Sequence, residues 1–94
     1  VLEELKLLLN EDVVLLDVRS PEEYEGGHIP GAVNIPLSEL LDRLGLDKDK
    51  PVIVYCRSGV RSAAKAAWLL RELGFKNVYL LDGGYKEWSA AGPP

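Results

Sequence analysis

The sequence predicts an α/β domain of three layers, with helices on both faces of a central, mostly parallel sheet of four to five strands. Short continuous apolar runs, such as residues 13–16 and 52–55, have the length of strands that are buried on both faces. These runs alternate with segments whose apolar residues recur at helical spacing. That alternation is typical of parallel sheets with crossover helices.

The N-terminal elements are predicted to be a helix, a strand and a second helix. Apolar residues recur at helical spacing over residues 2–9, at Leu2, Leu5, Leu8 and Leu9. The apolar run 13–16 predicts a strand that leads into Asp17. The second helix begins at Ser20, because Ser20-Pro21-Glu22-Glu23 supplies an N-cap, a proline at the first helical position and a glutamate at the third. Gly26-Gly27 ends this helix.

The remaining elements continue the alternation. They are strands over residues 33–35, 52–55 and 77–81, and helices over residues 38–44, 62–73 and 85–90. Gly74 caps the helix before it. Since parallel sheets bind ligands beyond the carboxyl ends of their strands, the side chains at those ends are the candidates for function. They are Asp17, Cys56 and Asp82.

Composition narrows the class of protein. The 94 residues suit one domain over residues 1–94, and 47% of them are hydrophobic. A net charge of −4 argues against a nucleic acid or an anionic membrane as partner. One cysteine cannot form an internal disulfide, so we expect a cytoplasmic protein, or a periplasmic one if a signal peptide was removed. We also expect a monomer.

The segment Tyr55-Cys56-Arg57-Ser58-Gly59-Val60-Arg61-Ser62 carries the strongest indication of function. Its cysteine lies where a buried strand ends and a helix begins. Unpaired N–H groups and the helix dipole at such a position favour a thiolate, and the same groups can hold an anion. Two arginines add positive charge. The segment therefore predicts a nucleophilic cysteine in an anion-binding loop.

With these motifs the chain resembles a single-domain rhodanese, a member of a family of persulfide-forming sulfurtransferases. The matching motifs run almost from end to end. They are Leu16-Asp17-Val18-Arg19, Glu23-Tyr24, residues 27–36 (Gly-His-Ile-Pro-Gly-Ala-Val-Asn-Ile-Pro), residues 54–63 around the cysteine, and Leu81-Asp82-Gly83-Gly84-Tyr85, with Trp88 and Gly92.

The resemblance implies a reaction and its participants. Cys56 takes a sulfane sulfur from a small anionic donor such as thiosulfate, becomes a persulfide, and passes the sulfur to cyanide or a thiol, a protein thiol included. The reaction needs no metal and no organic cofactor. The residues implied to bind substrate are Arg57, Ser58, Gly59, Val60, Arg61 and Ser62.

Several charged residues have a structural interpretation beside the functional one. Arg57 is either a solvated loop charge or a donor that attracts the anionic substrate. Arg61 is predicted to pair with a carboxylate and brace the loop. Asp17 and Arg19 follow a buried strand and need partners there, so we expect them to form a supporting network with the loop and neighbouring acidic residues, with no direct catalytic role. Glu23 either joins that network or is a surface helix charge.

Other conspicuous residues are expected to be structural. His28, the only histidine, belongs to the Gly-His-Ile-Pro-Gly-Ala turn, which is structural in the family. Trp68 and Trp88 are predicted to be core or half-buried packing residues. The Asp82-Gly83-Gly84 turn is predicted to serve helix-start packing and not phosphate binding.

Two other functions remain open from the sequence. Dual-specificity phosphatases that share this fold carry Cys-x5-Arg, whereas here four residues separate Cys56 from Arg61. An arsenate reductase on the same scaffold is the related alternative, although its chemistry usually requires a reducing thiol partner. The shorter loop should be too tight for a tetrahedral phosphate. A binding or regulatory module that keeps the fold without the chemistry is the third possibility, although such modules often lack the cysteine.

Overall fold

The computed structural model describes residues 13–42, 45, 48–58 and 61–91. Its described strands form one parallel sheet in the order β2-β1-β3-β4. The strands are β1 (Val14–Asp17), β2 (Val33–Asn34), β3 (Val52–Tyr55) and β4 (Val78–Leu80). The helices are α1 (Pro21–Gly26), α2 (Arg61–Glu72) and α3 (Gly84–Ala91), with a 3₁₀ turn at Leu37–Glu39.

The register of the sheet brings the candidate residues to one edge. Asp17 at the end of β1 pairs with Tyr55 at the end of β3. Cys56 is the next residue after β3, so it lies at the carboxyl edge of the two central strands. The pairing of β1 with β3 therefore brings Asp17 and Cys56 to the same edge of the sheet.

One face of the sheet packs against α2 and the 3₁₀ turn. Helix α2 turns three alanines and Leu70 toward the sheet, and small residues let a helix approach closely. The buried cluster on this face comprises Leu16, Val18, Ile35, Leu40, Val52, Val54, Cys56, Ala63, Ala66, Ala67, Leu70, Phe75 and Val78.

The opposite face packs against α1 and α3, largely through aromatic rings. Tyr24 of α1 and Tyr85 and Trp88 of α3 are partly buried there. The fully buried members of this cluster are Leu15, Ile29, Ala32, Ile53, Tyr55 and Leu81. With helices on both faces of a parallel sheet, the predicted three-layer α/β class is confirmed.

Local predictions hold where a cap or a long apolar run fixes the element. Strand β3 has the predicted bounds, and α2 begins one residue before the predicted start at 62. Ser20 caps α1 with both bonds of a capping box to Glu23, as its sequence predicts. The predicted helix over 2–9 lies outside the described residues.

The predicted helix over 38–44 is wrong in its described part. Leu37–Glu39 form a single 3₁₀ turn, and residues 40–42 continue as turns. The leucine spacing misled the prediction, since Leu40 is fully buried while Leu41 is 64% exposed. One tight turn suffices to place Leu37 and Leu40 against α2, so no helical stripe is required.

Candidate active site

Cys56 is held at the junction between β3 and the loop before α2. It is 5% exposed and belongs to the buried cluster on the α2 face. Its Sγ–H donates a hydrogen bond to the carbonyl oxygen of Ser58 at 3.4 Å. Gly59 and Val60, both predicted to bind substrate, lie outside the described residues.

The first turn of α3 holds the same loop from the other side. The N–H of Tyr85 donates to the carbonyl of Cys56, and the N–H of Lys86 donates to the carbonyl of Arg57, each at 2.9 Å. Gly84 permits this approach, because its φ is +61° and a Cβ there would collide with the carbonyl oxygen of Cys56. The sequence interpretation of this turn as helix-start packing missed its contact with the cysteine loop.

A buried polar network supports the ends of β1 and β3. The carboxylate of Asp17, fully buried, accepts hydrogen bonds from the Arg19 guanidinium at 2.8–3.1 Å and from the Arg19 backbone N–H at 2.9 Å. The Tyr55 hydroxyl donates to the same carboxylate at 2.7 Å and accepts from the Ile29 N–H at 3.2 Å. Arg19 also donates to the carbonyl of Gly27 at 2.6 Å.

Burial and the shared carboxylate fix the protonation of this network. Burial by itself lowers the pKa of Arg19, but the hydrogen bond and the charge of Asp17 outweigh burial, so the pKa is raised. Burial, followed by the hydrogen bond to Asp17, raises the pKa of Tyr55. Arg19 therefore stays charged and Tyr55 stays neutral at physiological pH. The sequence predicted a network of Asp17 and Arg19 with the cysteine loop and neighbouring acidic residues, whereas these two side chains contact each other, Tyr55 and the Gly27 carbonyl. It offered one signal for Tyr55, a hydroxyl that ends a buried strand and needs a partner.

A cavity of about 490 Å³ opens at this edge of the sheet. It is lined by Arg19, Glu23, Arg57, Ser58, Tyr85 and Lys86. The Arg19 guanidinium lies 4.3 Å from the centroid of the Tyr85 ring, which forms a cation–π contact in the wall. The charge of Arg19 is paired with Asp17, so Arg57 and Lys86 with Glu23 leave a net positive charge in the lining, which attracts anions.

The charged rim of this cavity is exposed to solvent. The Arg57 side chain is 82% exposed, and its Nε lies 4.0 Å from a carboxylate oxygen of Glu23. Glu23 therefore faces the loop as well as capping α1. Lys86, which the sequence analysis did not single out, lines the same cavity.

The other predicted loop residues lie at the start of α2 or beside it. Arg61 is exposed at the first residue of α2, and Ser62 is half-buried next to it. Ser58 is exposed. Asp82, at the carboxyl end of β4, is exposed in the turn before α3.

The remaining candidates are structural or lie elsewhere. His28 stacks on Tyr24 at 3.8 Å between ring centroids, with its Nδ1 2.9 Å from the Tyr24 carbonyl oxygen. Within the described ranges, no group of three or more His, Cys, Asp or Glu residues could hold a metal ion. The same residues include no helix long and apolar enough to cross a membrane.

The two tryptophans differ. Trp88 is half-buried and stacks with Tyr85, as its predicted packing role requires. Trp68 is 60% exposed, so the predicted packing role is wrong for it. It lies on the outer side of α2, away from the alanines that face the sheet, and lines a separate apolar groove with Leu37, Ala64, Lys65 and Leu69.

The fold and this edge define an α/β domain that presents its single cysteine in a loop at the carboxyl end of a central parallel strand. The chain belongs to the rhodanese-like domain family, whose family model matches residues 1–91.

Three similar proteins illustrate the relationship. The uncharacterized protein YqhL of Bacillus subtilis is 53% identical over 75 residues, which cover 79% of this chain and 59% of YqhL. Thiosulfate sulfurtransferase GlpE of Pseudoalteromonas translucida is 40% identical over 88 residues, 93% of this chain and 83% of GlpE. The solved structure of the human single-domain sulfurtransferase TSTD1 has a TM-score of 0.86 at 32% identity, covering 98% of this chain and 95% of that one. The chain thus spans less than two thirds of YqhL.

Proposed function

We propose that this chain is a rhodanese-type sulfurtransferase that carries sulfane sulfur as a persulfide on Cys56. The observation that carries the proposal is the place of Cys56, directly after the central strand β3 and before a short loop to the N-terminus of α2. Relatives named thiosulfate sulfurtransferase and sulfurtransferase support the activity.

The proposed reaction has two balanced steps. In the first, the Cys56 thiolate attacks the outer sulfur of thiosulfate; a Cys–S bond forms, the S–S bond of thiosulfate breaks, and sulfite leaves with the electron pair. In the second, cyanide or a thiolate attacks the outer sulfur of the Cys56 persulfide. The sulfur leaves as thiocyanate or as a new persulfide, and the Cys56 thiolate is regenerated. Neither step needs an outside oxidant, a reductant, a metal or an organic cofactor.

The cavity beside the loop suits the donor that this chemistry requires. Thiosulfate and persulfide are both anionic, and Arg57 and Lys86 place two cations on the rim. Glu23 partly offsets Arg57 at 4.0 Å. We assign donor binding to Arg57 and Ser58 with the loop through Ser62, and a supporting role to Asp17 and Arg19, since their groups are engaged with each other and with Tyr55.

The proposal is tested by intact-protein mass spectrometry. The protein is weighed before exposure to thiosulfate, after it, and again after cyanide. We expect a gain of one sulfur atom on Cys56 that cyanide removes, and no gain in the matched variant Cys56→Ser, with its fold checked by circular dichroism. Absence of sulfur uptake by the wild-type protein contradicts the proposal.

The same samples separate the rival functions. A phosphatase of this fold hydrolyses an aryl phosphate through the same cysteine and takes up no sulfur. A regulatory module does neither. Hydrolysis of the aryl phosphate without sulfur uptake would replace our proposal with the first rival, and inactivity with both substrates would favour the second.

A further inference from the structure

We propose that the first turn of α3 is a positioning device for the proposed sulfur transfer. Tyr85 and Lys86 hold the backbone carbonyls of Cys56 and Arg57, and this hold directs the next N–H groups of the loop toward the Cys56 sulfur. Gly84 is the residue that lets α3 come close enough. The inference rests on the proposed function, because its purpose is to stabilise the thiolate and persulfide anions.

The N–H groups in the first turn of α3 are directed at the cysteine loop. The N–H groups in the first turn of a helix have no partner inside it. Here those of Tyr85 and Lys86 are directed at the carbonyls of Cys56 and Arg57, each at 2.9 Å. Two successive peptide units of the cysteine loop are thereby fixed in orientation.

The planarity of the peptide bond then sets the direction of the N–H groups of Arg57 and Ser58. In a trans peptide the N–H of one residue points opposite to the carbonyl of the residue before it. Since the carbonyls of Cys56 and Arg57 point at α3, the N–H groups of Arg57 and Ser58 point away from α3.

The Cys56 side chain and α3 lie on opposite faces of the sheet. Helix α3 packs on the face of the sheet that carries Tyr55, whereas the Cys56 side chain belongs to the cluster on the α2 face. The N–H groups of Arg57 and Ser58 therefore lie together on the side of the loop away from α3, and the Cys56 sulfur contacts the same loop at the Ser58 carbonyl oxygen, 3.4 Å away. Pre-oriented donors of this kind stabilise a developing anion without reorganisation.

The contact between α3 and the cysteine loop leaves no room for a Cβ atom at Gly84. A Cβ at this position would collide with the carbonyl oxygen of Cys56 and lie 3.1 Å from the carbonyl carbons of Cys56 and Arg57. All three are backbone atoms, so none can rotate away as a flexible side chain could. An alanine here must displace either α3 or the loop.

The first experiment compares Gly84→Ala with Gly31→Ala. Both glycines have a positive φ, +61° and +88°, but a Cβ at Gly31 meets nothing within 4 Å. The control therefore carries the backbone penalty without the collision. We expect Gly84→Ala to lower kcat for thiosulfate by about tenfold or more, given what misplaced oxyanion donors cost. Gly31→Ala should keep its kcat.

A second measurement follows Cys56 without any sulfur transfer. The rate of alkylation by iodoacetamide as a function of pH reports how readily the thiolate forms. We expect its midpoint to move to higher pH in Gly84→Ala and to stay in place in Gly31→Ala. A loss of stability alone does not produce this shift in protein that remains folded.

A second pair of variants covers the case in which Gly84→Ala does not fold. Lys86→Pro removes the N–H that holds Arg57, and proline is tolerated in the first turn of a helix. Lys86→Ala removes the ammonium group and keeps the N–H. We expect the proline variant to have the lower kcat and the higher alkylation midpoint of the two.

The outcomes separate this inference from the proposed function. Unchanged alkylation profiles in Gly84→Ala, or in Lys86→Pro relative to Lys86→Ala, overturn the positioning role even if the wild-type protein transfers sulfur. If the wild-type protein takes up no sulfur but the alkylation midpoint shifts as expected, the proposed function fails and the positioning of the cysteine loop stands.

Discussion

The two faces of the sheet are packed by different chemistry. The α2 face is filled by aliphatic residues, alanines, Phe75 and the Cys56 thiol. The opposite face holds the aromatic residues of α1 and α3, and beneath them lies the hydrogen-bonded network of Asp17, Arg19 and Tyr55. Both faces border the same carboxyl edge of the sheet.

The two faces of the sheet therefore contribute differently to stability and to the candidate site. The apolar face excludes water and holds α2 against the sheet, and it needs only shape and volume for that. The polar face fixes the strand ends and the loop through directed bonds, from Arg19 to the Gly27 carbonyl and from α3 to the cysteine loop. Damage to the first face should therefore lower stability, whereas damage to the second should also disturb the site.

The largest expected effect comes from Asp17→Ala. The variant leaves the buried Arg19 guanidinium without its carboxylate, and breaking a buried ion pair costs about 3–5 kcal/mol of unfolding free energy. Urea unfolding measures the loss. The double variant Asp17→Ala/Arg19→Met removes both charges and should recover part of the stability, and a double variant no more stable than the single one would contradict this account.

Leu70→Ala tests the apolar face. Leu70 is fully buried on α2, and its truncation should cost about 2–5 kcal/mol because a cavity remains. At a temperature where the variant is folded, its kcat should stay near the wild-type value. A large fall in the kcat of folded Leu70→Ala would show that the apolar face also supports the site.

Tyr55→Phe should cost less, about 1–3 kcal/mol, because Asp17 loses one hydrogen-bond donor. The variant also changes the response to alkali. The pKa of Tyr55 is raised above its ordinary 10.0, so above that pH the unfolded chain loses the proton first and stability falls. Unfolding free energies measured between pH 9 and 11 should fall less steeply in Tyr55→Phe than in the wild-type protein, and equal slopes would contradict it.

The smallest effects are expected at the exposed rim. Arg57→Ala should raise the KM for thiosulfate a few-fold, and Glu23→Gln should lower it, since Glu23 lies 4.0 Å from the Arg57 side chain. Both changes should shrink as salt is added, because exposed charges are screened. Steady-state kinetics at two ionic strengths check this. If the KM rises in both variants or falls in both, Arg57 and Glu23 do not have opposite effects on thiosulfate binding.

Much of the fold was predictable because local signals agreed with it. The uninterrupted apolar run of β3, the Ser20 capping box and Gly74 after α2 each fix an element or its end. The failures lie where tertiary contacts decide, as in the leucines around the 3₁₀ turn and in Trp68, whose outward position depends on which side of α2 meets the sheet.

The place of the candidate site was predictable, and the contacts that support it were less so. The position of Cys56 at a strand end followed from the sequence, as did the need of Asp17 and Arg19 for polar partners. The contact of α3 with the cysteine loop did not, because it joins backbone atoms that are distant in sequence, and backbone hydrogen bonds leave little trace in residue types. The paired glycines before Tyr85 were its only sequence signal, and Gly84 alone meets the loop.

During synthesis the cysteine loop emerges from the ribosome before the helix that holds it. Asp17 and Tyr55, 38 residues apart, can pair once β3 is made, but Gly84–Ala91 of α3 follow only after α2 and β4. A nascent chain that ends at Gly83 contains every residue of the loop and lacks both donors to its carbonyls. The growing polypeptide therefore lacks the contacts of α3 with its cysteine loop until Tyr85 and Lys86 have been added.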